Sequence, residues 1–195
     1  SEVLSRRELQ CTPTGSVLEL KGRSVVDLVI AQAEALAAKR KAAVAVRSRE
    51  ALLGEVRRLL ALPAVIPPAS IVDEVVEAHG VLTVRSLRFA TESDIVVPAV
   101  ELTAVGTTGR PYAVVVSDAG CDAVSKPGGP GEALARQGYR VLIPDLRGWG
   151  ATRPTARLDR RWAGWFGEDW QEAQLGLMLN RPLLGQRVFD LLAVL

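Results

Sequence analysis

The spacing of apolar positions changes character near residue 68. Upstream, Val25, Leu28, Val29, Ala33 and Leu36 recur at helical intervals, and Leu52, Val56, Leu59 and Leu60 share one side of a second run, opposite Arg57 and Arg58. Ser24 with Asp27 three positions on predicts a capped helix start. Lys39, Arg40 and Lys41 predict its end, where cations suit the helix dipole. Neither run reads as buried all round, which predicts a hairpin packing one side on something else. Residues 1–23 read as irregular, with a turn at Thr12-Pro13-Thr14-Gly15 and a short apolar piece from Val17 to Leu20.

Pro63, Pro67 and Pro68 end the helical pattern, and period-2 segments follow. Residues 81–89 alternate as a half-exposed strand does, and 95–102 form a second strand that Pro98 assigns to an edge or a bulge. The continuous apolar runs 112–116 and 140–144 predict strands buried on both faces. Between them lie the loop Pro127-Gly128-Gly129-Pro130-Gly131 and a short helix, 132–137, with Gly138 as its C-cap. Two such strands joined through a helix make a βαβ unit with an expected right-handed crossover. Residues 169–195 read as helical, interrupted at Pro182 and Gly185. The expected organisation is a lead-in and helical arm over 1–67 and an α/β sheet domain over 68–195.

Composition narrows the function. Of 195 residues, 48% are hydrophobic and 24% charged, which fits a folded globular chain. Lys+Arg at 24 nearly balance Asp+Glu at 22, so neither nucleic acid nor a membrane surface is an expected partner. No apolar run approaches the ~20 residues that span a bilayer. Cys11 and Cys121 make neither a disulfide framework nor a zinc pattern and read as unpaired thiols. No metal or cofactor is expected. Ser1 to Gln10 shows no signal-peptide pattern and no initiator Met, so the chain is expected to begin partway through a longer protein, and its compartment stays open.

The most informative segment is Gly138-Tyr139-Arg140-Val141-Leu142-Ile143-Pro144-Asp145-Leu146-Arg147-Gly148-Trp149-Gly150. A buried strand ends in Asp-x-Arg-Gly-x-Gly, where glycines permit a sharp turn that Asp145 and Arg147 can tie by hydrogen bonds. It resembles the fourth-strand region of α/β hydrolases. Gly185-Gln186-Arg187-Val188-Phe189-Asp190-Leu191-Leu192, with Arg181-Pro182-Leu183-Leu184 before it, resembles the helix preceding the nucleophile strand in acetyl xylan esterase-like and dienelactone hydrolase-like members. Residues 11–18 and the arm are similar to the lead-in of large multidomain bacterial esterase-like proteins.

The resemblance implies a partial α/β-hydrolase sheet and an intact parent that cleaves a small-molecule or carbohydrate ester. That family's nucleophile lies in Gly-x-Ser-x-Gly, with the acid and His later in the chain. No Gly-x-Ser-x-Gly occurs here, and the chain reaches Leu195 inside the helix that should lead to it. The expectation is a truncated front portion with no catalytic residue of its own, inactive alone. The resemblance places the oxyanion loop at 117–121 with the Ala119 N–H as one donor, although Ser117-Asp118 stands where many relatives carry His-Gly.

Trp162, Trp165, Phe166 and Trp170 read either as packing over the sheet edge or as a pocket wall, and Trp149, Trp162 and Trp165 are the expected pocket residues. His79, the only histidine, is expected on the surface before the first strand, and Ser24 and Ser125 in capping or turn roles. Cys121 is flanked by Asp118 and Asp122, which oppose a thiolate. The glycines at 128, 129 and 131 lack the Lys-Ser/Thr of a phosphate loop. Glu168 and Asp169 read as a helix start, and Arg153, Arg157, Arg160 and Arg161 as a solvated loop. A non-catalytic α/β-hydrolase-like binding module is the alternative, with the arm and the last helix as interaction surfaces. The apolar run of Phe189, Leu191, Leu192, Val194 and Leu195 favours truncation, and an open sheet edge predicts low stability or self-association.

Overall fold

The computed structural model describes residues 3–16, 18–106, 111–154, 165–167 and 169–195. The chain divides into two compact units, Ser1–Gly54 and Glu55–Leu195.

In the first unit, α1 (Val25–Val46) starts on a reciprocal cap. The Asp27 N–H donates to Ser24 Oγ at 3.1 Å and the Ser24 N–H to the Asp27 carboxylate at 2.7 Å. The helix does not stop at the basic triplet but runs on to Val46, with no cation in its last turn. Neither α1 nor α2 (Arg49–Leu59), which runs across the boundary, has a buried residue. The expected single packing side is not covered in α1: Val25, Val26, Leu28, Val29 and Ile30, spread over more than half of the helix circumference, are all exposed.

The second unit is a five-stranded sheet in the order β1-β2-β3-β5-β4, built from β1 (Ser70–His79), β2 (Leu82–Glu92), β3 (Ile95–Ala104), β4 (Tyr112–Val114) and β5 (Arg140–Pro144). Its boundary at Gly54 falls ahead of the proline cluster. The turn after α2 belongs with the sheet, because Leu60 packs so closely on Gly185 that a Cβ there would overlap the Leu60 carbonyl.

Three strands differ from the sequence reading. Residues 70–79 form β1, which the pattern missed because its apolar residues come in adjacent pairs, Ile71-Val72 and Val75-Val76, along a wholly exposed strand. His79 is therefore the last residue of the first strand. The strand carrying Pro98 is central, not an edge. Pro98 is tolerated because the β3–β5 ladder ends there, its carbonyl accepting the Asp145 N–H at 2.8 Å. Conversely, β4 is an edge strand whose Tyr112 is exposed, not one buried on both faces.

β4 and β5 are parallel and joined through α3 (Cys121–Ser125) and α4 (Pro130–Arg136), giving the expected βαβ unit. Leu82, Leu102, Val141 and Ile143 pack with Cys121, Val124 and Ala135 from these helices. Leu87, Phe89, Val97, Ala99 and Leu142 make a second cluster with Val194. Val194 ends α6 (Leu183–Val194), which follows α5 (Trp170–Met178) after a break at Pro182; Gly185 lies inside α6 and does not interrupt it. Among the described residues no helix is long and apolar enough to cross a membrane.

Candidate functional site

The chain leaves β5 at Pro144, and the next residue organises the carboxyl ends of the two parallel strands. Asp145, 1% exposed, accepts the Cys121 N–H at 2.5 Å through one oxygen and the Ala151 N–H at 2.8 Å through the other. It thus clamps the loop after β4 to the loop after β5. Gly120 (φ +94°) and Gly150 (φ +52°) meet at this junction: a Cβ on Gly120 would come within 2.5 Å of the Gly150 Cα, and one on Gly150 would overlap the Asp145 carboxylate. The clamp leaves a crevice of about 290 Å³ lined by Ala119, Asp122, Asp145 and Arg153, among others. Open parallel sheets bind ligands outside these strand ends. The Ala119 N–H reaches Ser117 Oγ at 3.2 Å, and Arg153 donates to the Asp118 carbonyl at 2.9 Å.

Arg147 has a different partner from the one its spacing suggested. It does not tie its own turn to Asp145 but points to α6, meeting both Asp190 oxygens at 2.7 Å and Gln186 Oε1 at 3.0 Å. It also pairs with Glu92, which accepts from Arg181 at 2.9 Å. Thr91 Oγ1 donates to Asp190, which is fully buried. Burial lowers the Arg147 pKa, but Asp190 and Glu92 outweigh it and the net direction is upward. Burial likewise raises Glu92, and Arg147 and Arg181 bring it below the ordinary value. Arg187 completes the junction, donating to the Arg147 carbonyl at 2.7 Å and to Asp169 at 2.6 Å. Asp190, Arg187 and Glu92 were not singled out by the sequence. The available signal was Asp190 as the helix's single acid, three and four positions after Arg187 and Gln186 on the same face.

The tryptophans separate. Trp149 is half-buried under the Arg187 guanidinium, 4.4 Å above its ring. Trp165 is 81% exposed, and Phe166 beside it sits 6.1 Å from the Trp170 ring. Neither Trp149 nor Trp165 lines the crevice. Trp162, Arg157, Arg160, Arg161 and Glu168 lie outside the described residues. Asp169 does precede α5, but its carboxylate turns to Arg187 rather than capping the helix.

Cys121 Sγ lies 3.4 Å from Asp145 and 3.8 Å from Asp122. Burial, then Asp145 and then Asp122, push the thiol up to about 12; Asp145, not Asp118, is the larger acidic neighbour. His79 is exposed, 3.2 Å from Glu77. The register runs His79–Leu82–Ala104, toward the amino-terminal end of β5, so His79 lies at the opposite end of the sheet from the crevice and three strands away. Among the described residues no group of three His, Cys, Asp or Glu side chains could hold a metal ion.

A mixed sheet with flanking helices and a βαβ unit defines an α/β fold. No family model matches the chain, and no curated protein matches it. Among solved structures, it is similar to a putative acetyl xylan esterase from Bacteroides fragilis NCTC 9343, with a TM-score of 0.55 and 13% identity over 74% of this chain. The chain spans 40% of the length of that protein. The likeness is one of fold: an α/β architecture shared at the coarse level.

Proposed function

We propose that the sheet unit is the front portion of a serine hydrolase acting on esters, acetyl xylan esterase-like in its chemistry. The observation that supports this most is the crevice at the carboxyl ends of β4 and β5, held open by Asp145 and rimmed by the loop that carries Ala119. In this reading the Ala119 N–H turns from Ser117 toward the substrate and donates to the oxyanion of a tetrahedral intermediate. Trp149 and Trp165 belong to the walls of the complete pocket. The serine, acid and histidine come from sequence beyond residue 195, and the isolated chain is inactive. The test is to extend the chain along its gene until a Gly-x-Ser-x-Gly strand-turn-helix is included. The extended protein should hydrolyse 4-nitrophenyl acetate and take a fluorophosphonate label on that serine. Ala119→Pro, which removes the N–H, should lower its kcat by about 10²–10³-fold. Activity in the 195-residue chain, or a gene with no such motif, would sink the reading.

A second reading is a non-catalytic module that binds through the same architecture. What supports it is the exposed apolar surface of α1, where Val25, Val26, Leu28, Val29 and Ile30 are open to a partner. An inactive extended protein would select it.

A further inference from the structure

β1 and β4 are the two edges of the sheet, and β1 is the one away from the crevice. All ten residues of β1 are exposed, and among the described residues no strand pairs with its outer side. Such an edge presents a row of unpaired N–H and C=O groups that templates a further strand. Folded proteins blunt exposed edges with lysine, proline, a bulge or a very short strand. β1 is ten residues long and contains neither lysine nor proline. Its one irregularity falls between Ile71 and Asp73, which leaves residues 73–79 as a regular stretch.

The charges of that stretch choose its partner. Asp73, Glu74 and Glu77 are acidic, and His79 is the one residue able to carry a positive charge. Like charges directly opposite each other destabilise a strand pair. Two copies paired antiparallel about a two-fold axis keep like faces together, so each register centres on one residue that meets itself. Registers centred on Asp73, Glu74 or Glu77 place that acid opposite its own copy. One centred on Val75 places Asp73 opposite Glu77, and one centred on Ala78 pairs only residues 77–79. The register centred on Val76 avoids every such clash and uses the whole regular stretch. In it Asp73 faces His79 of the second copy, Glu74 faces Ala78, Val75 faces Glu77 and Val76 faces Val76. Asp73 is available for this: its nearest cation, Arg88, is 3.8 Å away, and both side chains are more than half in solvent. Glu74, which meets only Ala78, is already neutralised by Arg85 at 2.8 Å.

We propose that β1 pairs antiparallel with β1 of a second copy of this chain, in the register centred on Val76, and joins two five-stranded sheets into one. The backbone ladder holds the pair, and the charge pattern fixes its register. The pairing goes beyond the ester-hydrolase reading and does not depend on it: it needs no nucleophile, and the crevice, at the ends of β4 and β5, stays open in the dimer.

Two adjacent valines test it on the 195-residue chain. Val75 and Val76 are 52% and 57% exposed, so the fold tolerates one substitution at either position alike. Sedimentation equilibrium should show monomer and dimer. Val76→Lys sets two like charges face to face on the axis and should raise the dimer Kd at least about tenfold. Val75→Lys faces Glu77 of the other copy and should leave the Kd unchanged or lower it. In a Cys11→Ser background, which removes the exposed native thiol, Val76→Cys should give a covalent dimer with oxidised glutathione, and Val75→Cys should not. A chain that stays monomeric up to about 1 mM would overturn the proposal and leave the edge to a strand of another protein. A dimer that Val76→Lys leaves intact, as association through α1 would be, overturns it too, as does equal cross-linking at the two positions. The cross-link decides the register even if a lysine variant folds poorly.

Discussion

β5 and α1 are both rich in apolar residues, yet their fates are opposite. Four of the five residues of β5 are buried; none of the twenty-two in α1 is. β5 lies between β3 and β4, and its alternate residues enter the clusters on the two faces of the sheet, so every side of it is taken. α1 carries apolar side chains on all sides, so its sequence specifies no one face for packing. Hydrophobicity alone does not decide burial; a partner on each apolar face does. A helix apolar on every side is a covered helix in a stable protein, and left uncovered it drives association.

The contrast can be broken first at the charges that hold α6 beside the strand ends. Asp190→Ala leaves Arg147 part-buried with only Glu92 and should cost about 3–5 kcal/mol in urea unfolding, because removing one partner strands a buried charge. A loss below about 1 kcal/mol would mean that Glu92 alone carries the junction.

A paired truncation tests the two apolar elements directly. Ile143→Ala, at a fully buried position, should destabilise by about 2–5 kcal/mol. Leu36→Ala, on exposed α1, should change stability by no more than about 0.5 kcal/mol. It should also weaken any concentration-dependent association seen by sedimentation. A large effect of Leu36→Ala at low concentration would show that α1 is covered in solution.

The smallest effect concerns pH. Glu101 is nearly buried in β3, where burial raises its pKa but Arg140, Arg85 and the Tyr112 hydroxyl outweigh it, so the net shift is downward. A folded pKa below the unfolded one means that the unfolded chain takes up protons first as pH falls. Stability from this group is present at neutral pH and lost below about pH 4–5. Glu101→Gln should flatten the acid limb of unfolding free energy between pH 3 and 7. Asp27 in the arm is also shifted down, by Ser24, but it is wholly exposed, and Asp27→Asn should flatten that limb less than Glu101→Gln does.

Much of the fold was legible in local pattern. The capped start at Ser24, the buried strand 140–144 and the break at Pro182 each depend on neighbours within a few residues, and the βαβ unit follows from the order of its elements along the chain. The Asp-x-Arg-Gly-x-Gly segment marked the candidate site, and its glycines are required where two loops touch. Trp149 was legible as a pocket residue, but its stacking partner Arg187, thirty-eight residues on, was not. What stayed hidden was neighbourhood. Pro98 argued for an edge because proline lacks an N–H, but a ladder that stops at that residue makes no demand for one. The apolar run 112–116 argued for burial on both faces, but such a run carries no information about whether a strand pairs on one side or two.

By itself, then, the sequence determined where elements begin, what period they follow and where the backbone must turn sharply, since these depend on φ, caps and side-chain alternation along a few residues. Only the tertiary structure decided strand order, which apolar surface is covered, and that Arg147 serves α6 while Asp145 clamps the strand ends. Those outcomes arise between residues far apart in the chain, such as Arg147 and Asp190, where packing and desolvation select the partner and local spacing has no say.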